Sequence, residues 1–248
     1  MRCVLLTIAY DGRAFHGWQV QNNAATVQAC LQEALVSVLG AAPPIKGCSR
    51  TDAGVHARRF CVSFPLESSI PCERLVMALN ARLPKTVAAL DCREVPDDFH
   101  ARYNALGKQY SYEIWNSPRR NPFLEGLATH YPVRLDEESM HRNGLPLLGT
   151  HDFSSFCASG SSVEDTVRTV THFAVRREDD MVKIEIAADG FLYNMVRIIA
   201  GTLIDMERGK ISKDSMAEII EAKDRAVAGF TAPPEGLYLE QVFYSLDD

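Results

Sequence analysis

The chain has 248 residues, 46% of them hydrophobic, which is enough to bury the core of one large domain or of two moderate ones. No stretch approaches the ~18 consecutive apolar residues of a membrane span, and the first residues lack the pattern of a signal peptide, so we expect a cytoplasmic protein without a membrane partner. A net charge of −6 argues against a broadly basic nucleic-acid surface, and seven scattered cysteines without a C-x-x-C pair argue against a zinc or redox site.

Three strands and two helices are predicted in the first part of the chain. From Val4 to Tyr10, apolar residues alternate with smaller or more polar ones, which is typical of a strand. A helix should begin after Thr26 and end at Gly40, because apolar residues repeat there every three to four positions. After the loop "AAPPIKGCSRTDAGVHA" we expect a strand in "RRFCVSFPL", a helix in "PCERLVMALNARLP" and a strand in "TVAALDCREVP".

The second part of the chain contains the same kinds of element. Strands are predicted in "QYSYEIWN", "THYPVRL" and "GLYLEQVFY", and a hairpin in "RTVTHFAVRRE" and "MVKIEIAAD". Helices are predicted in "DEESMHRNGLPLLG", "NMVRIIAGTLIDMERG" and "KDSMAEIIEA". This order predicts an α+β protein with two halves, residues 1–102 and 103–248, each with helices on one face of a mainly antiparallel sheet.

The stretch "GCSRTDAGVHA" places Asp52 where neither a helix nor a strand is predicted. An aspartate before Ala-Gly is usually a turn residue, although a carboxylate on a loop can also be reactive. Arg50 could approach an anionic ligand. His56 could act as a base or a metal ligand, but no second histidine follows at metal spacing, so a hydrogen bond that orders the loop is the favoured interpretation.

Aromatic and basic residues are interleaved in "FHARYNALGKQYSYEI". Tyr110 and Tyr112 lie on one face of the predicted strand, where they could be core residues or could stack on a nucleic-acid base. His100, Arg102 and Lys108 are close in sequence. Cations beside flat rings suit a polynucleotide site, because cations neutralise phosphates and rings hold unstacked bases.

Arg197 lies beside the apolar stripe of the helix predicted in "FLYNMVRIIAGTL". An arginine in such a helix usually snorkels or pairs with a carboxylate, so we expect a buried acidic partner, and Gly201 leaves room for a close approach. The pair Arg58 and Arg59 could contribute to a local basic patch. The segment "GTHDFSSF" lacks the G-x-S-x-G elbow of a serine hydrolase and is interpreted as a structural corner.

The octapeptide "RTDAGVHA" resembles the defining motif of the tRNA pseudouridine synthase A family. The resemblance extends, in family order, to "IAYDGRAFHGWQVQ", "FHARYNALGKQYSYEI", "GTHDFSSF", "VRTV", "GFLYNMVRIIAGTL" and "GLYLEQV". It implies the pseudouridine synthase fold, in which two α/β-sandwich halves share a mixed central sheet, and a homodimer. It also implies isomerisation of uridine to pseudouridine at positions 38, 39 and 40 of the tRNA anticodon stem-loop, without a metal or organic cofactor.

The resemblance also implies roles for individual residues. Asp52 matches the nucleophilic aspartate, Tyr110 the tyrosine packed against the target uracil, and Arg197 the basic partner of the aspartate. Arg50 matches the arginine that takes the space of the flipped base, and Leu237 the apolar wall of the pocket. The other residues expected to bind tRNA are His56, Arg58 and Lys108.

Pseudouridine formation breaks the bond from C1′ to N1 and joins C1′ to C5. One ionised carboxylate can serve by attack at C6, by attack at C1′ or by removal of the C2′ proton, and the sequence leaves all three open. Burial and nearby phosphates disfavour the charged form, so an arginine partner is needed. Two other functions also stay open: an RNA-binding module in which Asp52 only caps a turn, and an N-glycosidase, which would need a second carboxylate nearby.

Overall fold

A computed structural model describes residues 2–160 and 163–245. The chain divides into two compact units, the first comprising Met1–Leu106 with Leu239–Asp248 and the second comprising Gly107–Tyr238. The described residues form ten strands and five α-helices. The predicted α+β class is therefore confirmed. No helix among the described residues is long and apolar enough to cross a membrane.

The first unit is a mainly antiparallel sheet with two helices. Its strands follow the order β4-β1-β3-β10, and β2 pairs with β3. The strands are β1 (Arg2–Tyr10), β2 (Lys46–Gly47), β3 (His56–Leu66), β4 (Val87–Val95) and β10 (Leu237–Tyr244), of which β10 enters this unit at Leu239. The helices are α1 (Val27–Leu39) and α2 (Cys72–Asn80).

Local chemistry fixes the ends of these elements. The Thr26 hydroxyl accepts a hydrogen bond from the Ala29 backbone at the start of α1, and Gly40 ends the helix with a φ of 84°. Both predicted boundaries are confirmed. The pairing of β1 with β3 changes register between Ile8 and Tyr10, and such an irregularity re-aims the side chain at the strand end.

The second unit is a sheet in the order β5-β9-β8-β7, whose neighbours are antiparallel, with three helices. The short β6 pairs with β5 in parallel, which makes the sheet mixed. The strands are β5 (Ala105–Trp115), β6 (Thr129–His130), β7 (Gly149–Asp152), β8 (Val167–Glu178) and β9 (Met181–Ala188). The helices are α3 (Glu137–Gly144), α4 (Met195–Glu207) and α5 (Met216–Ala222).

Two predicted elements of this unit are shorter in the structure. The strand predicted in "THYPVRL" is limited to β6, since Pro132 has no backbone N–H for further pairing. The helix predicted up to "LPLLG" ends at Gly144 and is followed by a 3-10 turn that contains Pro146.

The segment "GTHDFSSF" combines strand β7 with a 3-10 turn, Ser154–Phe156. The Asp152 carboxylate accepts hydrogen bonds from the Ser154 backbone and from the Thr166 hydroxyl. Hydrogen bonds from Ser154 and Thr166 hold the pKa of Asp152 well below its ordinary value. These contacts give Asp152 a structural role at this corner.

We expect Asn80→Ala to weaken the attachment of α2 to the edge strand β4. The Asn80 side chain accepts from the Ala89 N–H and donates to the Ala89 carbonyl, both at 2.8 Å. Loss of both bonds should lower the free energy of unfolding by about 1–2 kcal/mol, measured in urea. Met77→Ala, an exposed position on the same helix, should change it by less than about 0.5 kcal/mol; equal effects would contradict this role of Asn80.

Candidate active site

Asp52 lies in the loop 48–55 that connects β2 to β3. Its carbonyl accepts a hydrogen bond from the Val55 N–H at 3.2 Å, and Gly54 between them has a φ of 79°. A left-handed residue at this third position is what a type II turn requires. The backbone of Asp52 therefore makes a turn, and the half-buried carboxylate of the same residue can still have a chemical role.

The segment from Tyr10 to Trp18 holds this loop in place. The Trp18 N–H donates to the Thr51 carbonyl at 3.1 Å, and the Gly54 N–H donates to the Phe15 carbonyl at 3.4 Å. The hydroxyls of Tyr10 and Thr51 are 2.8 Å apart and buried. Hydrogen bonds to the residues on both sides of Asp52 thus fix the position of its backbone against this segment.

Two glycines allow the segments to approach this closely. A Cβ atom on Gly12 would lie 2.1 Å from the Val55 carbonyl oxygen, and one on Gly17 would lie 2.5 Å from the Thr51 carbonyl oxygen. Gly17 also has a φ of 88°, which L side chains rarely adopt. Glycine is needed at both positions because the neighbouring atoms belong to the backbone and cannot rotate away.

His56 is 1% exposed, and its ring serves the same loop. Its Nδ1 accepts a hydrogen bond from the Gly12 N–H at 3.0 Å. The Asp11 carboxylate lies 3.5 Å from the same nitrogen, but an ion pair would need a proton on Nδ1, where the Gly12 N–H already points. The guanidinium of Arg13 holds the pKa of Asp11 below its ordinary value and is its main cation partner. The geometry of His56 is that of the loop-ordering interpretation.

The two arginines next to this loop differ in their surroundings. Arg50 is exposed, two residues before Asp52. Arg58, on β3, forms a 3.3 Å ion pair with Glu240, and its side chain is 49% exposed. An ion pair that is this exposed contributes little to stability, so Arg58 can exchange Glu240 for another anion at low cost.

In the second unit, Tyr110 lies on β5 opposite Ile186 of β9 and is buried. Its ring meets the ring of Phe191 edge-on, with centroids 4.9 Å apart. This arrangement fixes the plane of the Tyr110 ring. Lys108, two residues earlier on the same strand, is half-buried.

Arg197 is held by neutral oxygen atoms of its own unit. Its Nε donates to the Ala232 carbonyl at 2.7 Å, and one terminal nitrogen donates to the Asn194 side-chain oxygen at 2.8 Å. Asn194 precedes α4 in a left-handed conformation with a φ of 60°. These two hydrogen bonds orient the guanidinium.

Gly201 allows a close approach of backbone to α4. A Cβ atom there would lie 1.9 Å from the carbonyl oxygen of Phe230, so the segment 230–232 crosses α4 in direct contact. Further along the same segment, a Cβ atom on Gly236 would lie 2.8 Å from the Glu113 carbonyl oxygen on β5. Leu237 follows and is buried.

Each unit thus groups part of the predicted set. The first groups Arg50, Asp52, His56 and Arg58 around one loop. In the second, the segment 191–197 begins with Phe191, which contacts Tyr110, and ends with Arg197. The segment 232–237 begins with Ala232, which binds Arg197, and ends with Leu237.

Sequence reasoning missed the supporting residues, although they lie in the motifs "AYDGRAFHGW" and "GFLYNMVR": Tyr10, Gly12, Gly17, Trp18, Phe191 and Asn194. Among the described residues, no group of three or more His, Cys, Asp or Glu could hold a metal ion.

Similarity to known proteins extends along nearly the whole chain. The family described as tRNA pseudouridine synthase matches residues 6–104 and 146–245. The tRNA pseudouridine synthase A of Acetivibrio thermocellus is 50% identical over 244 residues, which are 98% of this chain and all of that protein. Those of Thermoanaerobacter sp. (strain X514) and Ruminiclostridium cellulolyticum are 46% and 45% identical, with the same coverage. Asp52, Arg197 and Leu237 lie within the matched segments.

We expect Gly17→Ala to destabilise the protein more than Gly40→Ala does. Both glycines have left-handed backbones, with φ of 88° and 84°, but a Cβ atom on Gly40 meets nothing within 4 Å. Gly40→Ala should cost about 1 kcal/mol for the backbone conformation alone, and Gly17→Ala a further ~1–3 kcal/mol for the collision with Thr51. Urea unfolding measures both changes; equal costs would show that the loop yields to the added methyl group.

We expect His56→Phe to lower the free energy of unfolding by about 1–3 kcal/mol, because the buried Gly12 N–H loses its acceptor. His56→Asn, whose side-chain oxygen can occupy the place of Nδ1, should recover part of the loss. Hydrogen exchange at the Gly12 amide provides the local measurement and should accelerate in the phenylalanine variant only. Unchanged exchange in that variant would contradict the loop-ordering role.

Proposed function

Because the chain belongs to the tRNA pseudouridine synthase family, and is therefore an isomerase that forms pseudouridine in tRNA, we propose that Asp52 is its nucleophile. We propose uridines 38, 39 and 40 of the anticodon stem-loop as its targets. The observation that carries the proposal is the rigid turn that presents Asp52 within the family's octapeptide. The choice of uridines rests on the resemblance of the sequence.

The rigid loop supports a nucleophilic role for Asp52. Hydrogen bonds to Thr51 and Gly54 restrain the backbone on both sides of it, so little conformational freedom is lost when the carboxylate meets the sugar or the base. In the reaction the bond from C1′ to N1 breaks and the bond from C1′ to C5 forms. C5 releases its proton and N1 gains one, so the reaction is redox-neutral and needs no cofactor to supply electrons.

A uridine within a stem must leave the helix before a carboxylate can reach it. Flipping costs a few kcal/mol, and an inserted side chain can offset part of that cost. Arg50 suits this role because it is exposed and only two residues from Asp52. We therefore propose that its guanidinium occupies the space that the flipped base leaves.

The second unit offers groups suited to the flipped base. The ring of Tyr110 is fixed by Phe191 and provides a flat surface for uracil, while the buried Leu237 provides an apolar one. Arg197 is oriented by Ala232 and Asn194, and we propose that it is the basic partner that keeps the nucleophile ionised.

The remaining residues of the predicted set have separate roles in the proposal. His56 acts through the loop, because its ring is buried and bonded to Gly12. Arg58 and Lys108 bind phosphates of the tRNA. From the family resemblance we also propose a homodimer that works in the cytoplasm.

Tritium release from tRNA labelled at uracil C5 tests the nucleophile. Asp52→Asn keeps the shape of the side chain but removes the ionised carboxylate, so release should fall below detection while tRNA remains bound. Asp179→Asn makes the same chemical change in the exposed turn between β8 and β9 and should release tritium like the wild type. Release by Asp52→Asn at the wild-type rate would exclude Asp52 as the nucleophile.

The target positions need a separate readout. Primer extension on carbodiimide-treated tRNA stops at pseudouridine and should map the wild-type product to positions 38, 39 and 40. Modification only at other positions would contradict the proposed specificity and leave the role of Asp52 intact.

A further inference from the structure

The segment 96–104 has a rigidly anchored backbone. The Ala101 N–H donates to the Ser63 hydroxyl at 2.9 Å, and the Ala101 carbonyl accepts from the Tyr244 hydroxyl at 2.7 Å. Ala101, Ser63 and Tyr244 are all buried, and the ring of Phe99 packs on that of Tyr244. The segment is therefore fixed to the sheet of the first unit at its middle.

The next residues of this segment extend into solvent. Tyr103 is 77% exposed, although a tyrosine ring is a large apolar surface. The ring of His100 lies 4.3 Å from it, and the guanidinium of Arg102 lies 5.9 Å from its centroid. We call His100, Arg102 and Tyr103 the stacking platform.

The local turn keeps the platform in shape. The His100 N–H donates to the Asn104 side-chain oxygen at 2.7 Å, and the Asn104 N–H donates back to the His100 carbonyl at 3.0 Å. The Arg102 N–H donates to Nδ1 of His100 at 3.1 Å. An exposed aromatic side chain on a backbone this well ordered suits binding, because little freedom is lost when a ligand stacks on it.

Two cations, Lys46 and Arg102, lie near enough to His100 to act on its charge, in a chain with a net charge of −6. Burial, followed by the nearby charges of Lys46 and Arg102, lowers the pKa of His100. Lys46 lies on β2, which leads directly into the loop of Asp52. Asp97 and Asp98, at the start of the segment, are exposed.

We propose that the stacking platform binds an unpaired nucleotide of the tRNA, with its base on Tyr103 and its phosphates facing Arg102 and Lys46. An aromatic ring with a cation beside it suits single-stranded RNA, since every base has a flat face and every nucleotide a phosphate. The inference rests on the proposed function in taking the anticodon loop as the source of this nucleotide. It adds a contact to the tRNA outside the loop that carries Asp52.

The dissociation constant of a tRNA transcript, measured by filter binding, tests the platform. Tyr103→Ala should raise it about tenfold, and Tyr103→Phe, which keeps the ring, should stay within about twofold of the wild type. Met77→Ala removes an exposed apolar side chain of the same unit and should have no effect. Arg102→Gln should reduce the slope of log Kd against log salt by about one.

A blunt RNA duplex separates stacking from general electrostatics. Because it offers no unpaired base, Tyr103→Ala should change its dissociation constant by less than about twofold. Equal weakening for duplex and tRNA, or no weakening for tRNA, would overturn the proposal. Tritium release by the wild type is read independently, so a failed choice of target or nucleophile would not alter the outcome for Tyr103.

Discussion

The loop of Asp52 depends on contact between two stretches of backbone, residues 10–18 and 51–56, at a distance that no Cβ atom would permit. The Trp18 N–H reaches the Thr51 carbonyl only because Gly17 beside it carries no side chain. The Gly12 N–H likewise donates to the buried His56 only because Gly12 has no side chain. A backbone contact is hard to replace by side-chain adjustment, so these glycines constrain the position of the Asp52 loop strictly.

The second unit also contains glycines at which two stretches of backbone come into direct contact. The segment 230–237 crosses α4 at Gly201 and reaches β5 at Gly236, again where an added methyl group would collide with backbone. The Ala232 carbonyl on this segment orients Arg197, and Leu237 is at its end. One tightly packed segment thus determines the place of two residues that lie 40 positions apart in the sequence.

A chain with a net negative charge can bind RNA where some of its cations are grouped locally and well ordered. Arg50 immediately precedes Thr51, whose carbonyl accepts from the Trp18 N–H, and the stacking platform flanks Ala101, which is bonded to Ser63 and Tyr244. Ordering the backbone beforehand lowers the entropic cost of binding and lets single contacts contribute strongly. The net charge of −6 therefore limits non-specific binding without preventing specific recognition.

The sequence by itself determined the α+β class, the main elements and the candidate residues, because periodicity, capping by Thr26 and Gly40, and the octapeptide around Asp52 are local signals. It did not reveal β2 or β7, which are too short to alternate, or the early end of β6 at Pro132. The sequence favoured a loop-ordering hydrogen bond for His56, but only the tertiary structure identified the Gly12 N–H as its partner. It also decided that Ala232 and Asn194 orient Arg197 and that Tyr103 is exposed. His56 and Gly12 are 44 positions apart, and a hydrogen bond between residues so distant in sequence leaves no periodic pattern.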